Sequence, residues 1–137
     1  MNSVPKDYGY VLLAATASWG TCMWMAKNVA DGRKKYGVPY PRMYSDTEDT
    51  FNCIQRAHQN TLEFYPSFLF FLSTAGLERP RFAASCGLLW CLGRVVYAKG
   101  YYSGKPEKRN YGGFGNIGYL GLIGCTVALA AKKLELY

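Results

Sequence analysis

Hydrophobic and polar positions in this chain fall into long blocks instead of alternating. Residues 8–26 and 111–131 contain no Asp, Glu, Lys or Arg. At about 1.5 Å of rise per helical residue, roughly 20 such residues cross a hydrocarbon core of about 30 Å. Between them lie two shorter apolar stretches, 64–77 and 82–93, the second extending through 95–98 past the single charge of Arg94. The pattern predicts four helices, over about 8–29, 50–76, 82–102 and 114–132, in one domain covering 1–137. The punctuation agrees with it. Pro39 and Pro41 oppose helix continuation in the connection before residue 50, where Asp49 and Thr50 are suitable caps. The tight turn around Pro80 makes the second and third helices antiparallel neighbours, and Pro66 predicts a kink within the second. Gly115, Gly118, Gly121 and Gly124 recur every three residues, which is expected to give the fourth helix a close-packing face. Gly113, Gly115 and Gly118 also spell G-x-G-x-x-G. With no strand before it and no βαβ unit around it, that string is not a dinucleotide fingerprint.

The fold class implied is all-α and integral to the membrane, a bundle of four transmembrane helices. Composition alone would hide this, because mean hydropathy is only −0.11 although half the residues are apolar. A net charge of +7 and twelve tyrosines raise nucleic-acid binding as a function. The cations sit in short connections between membrane-length segments, so no continuous basic face is available to a duplex. Their distribution reads better as topology. One side would hold Lys27, Arg33, Lys34, Lys35, Arg42, Lys99, Lys105, Lys108 and Arg109, and the other Lys6, Arg79, Arg81, Lys132 and Lys133. The richer side is expected in the cytosol, with both chain ends lumenal. The start of the chain lacks a basic n-region and a small-residue cleavage site, so the first apolar run is expected to remain as a helix. Cysteines 22, 53, 86, 91 and 125 form no C-x-x-C and accompany a single histidine, His58. They read as buried reduced thiols, and no metal site is expected.

Candidate chemistry begins in FNCIQRAHQNTLEFYP, residues 51–66. On a helix, Arg56, Asn60 and Glu63 fall within roughly 60° of one another. Ionisable groups at membrane depth cost about 2.5–3.5 kcal/mol each on insertion scales, so they are normally paired or line a polar cavity. A second stripe, Arg94, Tyr97 and Tyr101, has i, i+3, i+7 spacing and is followed by Arg109 in the next connection. Its plainer reading is interfacial tyrosines beside a snorkelling arginine. Both stripes converge on the same end of the bundle, with Arg33. Such a cluster suits a small zwitterionic or anionic ligand rich in carboxylates.

FNCIQRAHQNTLE and GRVVYAKGYYSGKPEKR closely resemble the membrane-associated eicosanoid and glutathione metabolism (MAPEG) family, over nearly the whole chain. The resemblance implies a homotrimer of four-helix subunits binding reduced glutathione between subunits near the cytosolic surface, with a lipophilic substrate drawn from membrane lipid. By position, Arg56, Asn60, Glu63, Tyr97 and Tyr101 resemble the glutathione-binding residues of one subunit, and Arg33 and His58 those of its neighbour. His58 stands where relatives carry glutamine. Phe64 stands where some carry tyrosine, so one hydroxyl contact is either missing or replaced, with Tyr65 as the candidate. The thiolate-stabilising arginine resembles Arg109, with Lys108 as the rival. Lys34 occupies the place of a second arginine that protonates an opened epoxide, which leaves leukotriene C4 synthase-type conjugation an open branch. The implied activity is transfer or peroxidase chemistry on lipophilic electrophiles or lipid hydroperoxides. The implied location is the endoplasmic reticulum membrane, with the mitochondrial outer membrane as the second choice. A competing reading from another class is a non-catalytic structural subunit of a larger membrane complex.

Overall fold

The computed structural model describes residues 4–136, and their secondary structure is entirely helical. The helices are α1 (Tyr8–Tyr36), α2 (Asp49–Glu78), α3 (Pro80–Tyr102) and α4 (Gly115–Lys133), with a 3₁₀ segment, Pro106–Gly112, between the last two. That makes five helical elements where four were expected. The added one folds the connection after α3 back onto that helix. The first helix also runs past residue 29 and takes Arg33, Lys34 and Lys35 into its last turn, where cations complement the C-terminal end of the helix dipole. It stops at Gly37, whose φ of 65° is the left-handed cap conformation that glycine adopts without a Cβ penalty.

No single helix among the described residues is both long and apolar enough to cross a membrane by itself. The 3₁₀ segment and α4 meet that requirement only as a pair, bent by 52°. This departs from the expectation of four independent spans, for a compositional reason. The uncharged stretch of α1 is diluted by Gly, Ser, Thr, Tyr and Trp, and α2 carries Arg56 and Glu63 within its length.

Packing runs through α3, which contacts α1, α2, α4 and the 3₁₀ segment. Phe68 of α2 stacks on Trp90 of α3 with centroids 3.9 Å apart, both fully buried, and Leu72, Ala75 and Leu122 close the core around them. Aromatic pairs of this kind contribute about 0.5–1.5 kcal/mol beyond their burial. Helix α2 continues through Pro66 without a break. Hydroxyls stitch the helices laterally. Ser18 meets Tyr65 at 3.0 Å between α1 and α2, while Ser67 meets Tyr119 at 2.6 Å and Thr74 meets Thr126 at 2.7 Å between α2 and α4. All five cysteines are free and buried.

The glycine face of α4 differs from its predicted extent. Gly115 lies against the backbone of Gly93 and Gly118 against the Cys86 carbonyl, but Gly124 faces open space. Three residues advance a helix by about 300°, so nine carry Gly124 about 180° round from Gly115. The buried edge of α4 is instead Gly115, Gly118, Leu122 and Cys125, which follows true helical spacing.

The long connection between α1 and α2 is held from both sides. Arg33 Nη1 donates to the carbonyls of Arg42 (2.6 Å) and Val38 (3.3 Å), and Gln55 donates to Met43 (3.0 Å). Asn52 and Ser45 exchange two bonds, each 2.8 Å.

Candidate functional site

The polar stripe of α2 forms as its spacing requires. Arg56 makes a two-pronged contact with Glu63, Nη1 to Oε1 at 2.7 Å and Nη2 to Oε2 at 3.1 Å. Asn60 Nδ2 adds a longer donation to Oε2 at 3.4 Å. The pair is partly exposed, with about half of the Glu63 side chain open. Fork geometry on a carboxylate is the stronger kind of charge-assisted bond, yet an exposed pair adds little to folding stability. Its value lies in presenting both a cation and a carboxylate at the surface.

Helix α3 brings the second stripe to the first. Arg94 is buried, not snorkelling. Its Nη2 donates to Asn60 Oδ1 and to Thr61 Oγ1, each at 2.8 Å, and its guanidinium lies 3.9 Å from the Tyr97 ring centroid. Tyr97 in turn meets Tyr101 edge to face with centroids 5.3 Å apart. Snorkelling fails because α2 supplies oxygen acceptors at that depth. Arg109 of the 3₁₀ segment closes the set, its guanidinium 5.3 Å from the Tyr101 ring and its Nη1 on the Pro106 carbonyl at 3.1 Å. Gly100 decides that placement, because the 3₁₀ backbone at Lys108 and Arg109 occupies the space its Cβ would take. Lys108 is half-exposed, and only its backbone is seated on α3.

An open cavity of about 370 Å³ lies between α2, the end of α3 and the 3₁₀ segment, and both Arg56 and Tyr101 line it. Tyr44, Asn52 and Cys53 line it too. Tyr44 comes from a connection whose course sequence spacing cannot fix. Asn52 was visible as the residue one turn before Arg56. Thr61, the main acceptor for Arg94, was hidden by its ordinary appearance as a helical threonine.

Arg33 and His58 do not join this group. Together with Gln55, Gln59 and Tyr40 they line a separate cavity of about 360 Å³ between α1, α2 and the connecting loop. The Arg33 guanidinium is buried, stacked 4.2 Å from the Tyr40 ring centroid, and its Nε has no hydrogen-bond partner among the described residues. Lys34 is exposed and faces another cavity, of about 500 Å³, with Pro39 and Tyr40. Tyr65 does not replace the hydroxyl absent at Phe64, since its own is engaged by Ser18 of α1. Phe64 is exposed and packs edge to face on Tyr119.

Comparison with known proteins adds two findings. The model of the MAPEG family matches residues 11–131. Among similar proteins are microsomal glutathione S-transferase 2 of Homo sapiens, 36% identical over 87% of this chain and 81% of the relative, and that of Mus musculus, 37% identical over 89% and 83%. An uncharacterised protein of Synechocystis sp. is 43% identical over 62% of this chain and 61% of its own.

Proposed function

Because this chain belongs to the MAPEG family, we propose that it is a glutathione-dependent transferase of the membrane, joining the thiol of glutathione to lipophilic electrophiles or spending it on lipid hydroperoxides. Within the family, its motifs resemble microsomal glutathione S-transferase 3. The observation that carries the reading is that the Arg56–Asn60–Glu63 stripe is joined through Arg94 to Tyr97 and Tyr101 of α3, beside an open cavity that Arg56 and Tyr101 line.

That set fits the ligand's chemistry. Glutathione carries two carboxylates, an ammonium and a thiol. Arg56 suits a carboxylate, Glu63 the ammonium, Asn60 and the tyrosine hydroxyls the peptide groups, and Arg109 the sulfur as it becomes anionic. The cavity volume lies within the usual range for small-molecule sites. No protein nucleophile is needed, because the cosubstrate brings its own. Lys34, exposed on the last turn of α1, is the proton donor for an opened epoxide in leukotriene C4 synthase-type conjugation.

Magnitudes limit what Arg109 contributes. A thiol of pKa about 8.5 is roughly 7% thiolate near pH 7.4. Lowering it by about two units raises that fraction about 12-fold, but costs about 8-fold in intrinsic nucleophilicity for a Brønsted slope of 0.4–0.5. Most acceleration must then come from holding the sulfur against the acceptor, where effective molarity contributes several kcal/mol. A site at a bilayer boundary does this well, since glutathione comes from water and the acceptor from lipid. In this reading the helices cross the endoplasmic reticulum membrane as a bundle, in homotrimers, with the Arg33–Lys35 and Lys99–Arg109 ends in the cytosol.

The test uses purified protein in detergent. It should bind glutathione and show a thiolate absorbance that Arg109→Ala abolishes and Lys108→Ala leaves intact. Absence of binding, with migration only inside a larger assembly, would instead identify a structural subunit.

A further inference from the structure

We propose that Arg94 is the positioning residue of this site, a buried cation that sets the Asn60 amide and the Tyr97 ring before a ligand arrives. The proposal rests on the glutathione reading and extends it to a side chain that would not itself touch the tripeptide.

Arg94 is 7% exposed, and among the described residues no carboxylate lies within ion-pair distance of it. An unpaired guanidinium in a low-dielectric interior is expensive unless acceptors meet its donors. Thr61 Oγ1 accepts from both Nε (3.0 Å) and Nη2 (2.8 Å), and Asn60 Oδ1 accepts from Nη2 (2.8 Å). The Tyr97 ring covers one face at 3.9 Å, with Trp90 farther off at 5.9 Å. Each of these contacts removes a freedom from the site. The Thr61 hydroxyl spends its hydrogen on the Ala57 carbonyl at 2.9 Å, so only its lone pairs can face Arg94. With its carbonyl held, Asn60 must turn its NH₂ toward Glu63, because the flipped amide would set donors against the guanidinium. Glu63 then receives donors from Arg56 and Asn60 along one edge, which fixes the carboxylate for an incoming ammonium. The Tyr97 ring is held over the cation, which fixes the edge-to-face contact that seats Tyr101. A planar fork does this by reaching two acceptors and a ring at once. A lysine ammonium, being a point charge, cannot.

The experiment compares Arg94→Lys, Arg94→Met, Thr61→Val and Thr61→Ser with the parent protein in detergent. It reads thermal midpoint, oligomer size, KM for glutathione and kcat with an aryl halide. Both Arg94 variants should raise KM at least tenfold with kcat within about threefold. Thr61→Val should give a smaller rise, and Thr61→Ser should restore the parent KM. A purely structural role would lower yield or thermal midpoint while the folded fraction keeps its KM, and that result overturns the proposal. So does a loss confined to kcat. If the Arg94 variants do not fold, the Thr61 pair decides, and an unchanged KM in Thr61→Val rejects the role. Failure of the parent protein to bind glutathione removes the functional reading and this role with it. Binding by the parent with unchanged variants removes only the role of Arg94.

Discussion

On one face of α2, Arg56, Asn60 and Glu63 bond to one another and, through Arg94, to α3; on the other, His58 and Gln59 make no side-chain hydrogen bond to a described residue, and Gln55 alone is engaged. The neighbour of that second face, Arg33, keeps a buried Nε without a hydrogen-bond partner among the described residues. Residues one to three positions apart thus reach opposite states. The first face is satisfied within a single chain, and so it exists as soon as the subunit folds. The second leaves the side chains of His58 and Gln59 lining an open cavity without such bonds. The proposed role of Arg33 and His58 at a neighbouring subunit's site turns on this second face.

The comparison breaks most readily at Glu63. Glu63→Gln removes the carboxylate that suits the ammonium and half of the Arg56 fork. Glutathione affinity should fall about 10- to 100-fold, consistent with about 1.5–3 kcal/mol for a charged hydrogen bond, with the oligomer unchanged by light scattering. Loss of the oligomer would move Glu63 from ligand binding to architecture. Next comes Gly100→Ala, which pushes the backbone at Lys108 and Arg109 off α3. Overpacking of this kind costs about 1–3 kcal/mol. Calorimetry should show a lower midpoint, and the Arg109-dependent thiolate signal should weaken while binding through Arg56 persists.

His58→Ala probes the other face. If its donors serve a second subunit, glutathione affinity should drop only a fewfold, and mixed oligomers of His58→Ala with Glu63→Gln subunits should recover intact sites. The smallest effect belongs to a region outside both faces. Lys132 donates to Glu78 at 2.6 Å, and this bond holds the Glu78 carboxyl below the usual glutamate range. A folded-state value below the unfolded one stabilises at higher pH and loses that contribution as pH falls through the folded value. Thermal midpoints should therefore drop slightly below about pH 4.3, the ordinary glutamate value. Lys132→Met should remove that part of the slope without altering glutathione binding.

Much of the site was legible because helical spacing is rigid. Once α2 is a helix, Arg56, Asn60 and Glu63 must share a side, and the same holds for Arg94, Tyr97 and Tyr101. What spacing cannot supply is the rotation of one helix against another. Arg94 therefore read as a side chain climbing to the interface, although Thr61 and Asn60 meet it inside the bundle. The 3₁₀ segment was hidden for a similar reason. Its course is dictated by the absence of side chains at Gly93, Gly100 and Gly112, which lets backbone lie on backbone, and a one-dimensional reading registers those positions only as a loop. Uncharged length also overstated the independence of each span, since glycines and hydroxyl residues count toward length without adding much hydrophobicity.

The stitched connection between α1 and α2 constrains traffic through the protein. Lifting it would break the bonds from Arg33, Asn52 and Gln55 together. At about 1 kcal/mol each, that leaves the raised form on the order of one molecule in a thousand or fewer. A hinged cover over the cavities beside it is thus a poor description of this segment. Under the proposed function, glutathione would come and go past a standing doorway, without a moving cover to wait for.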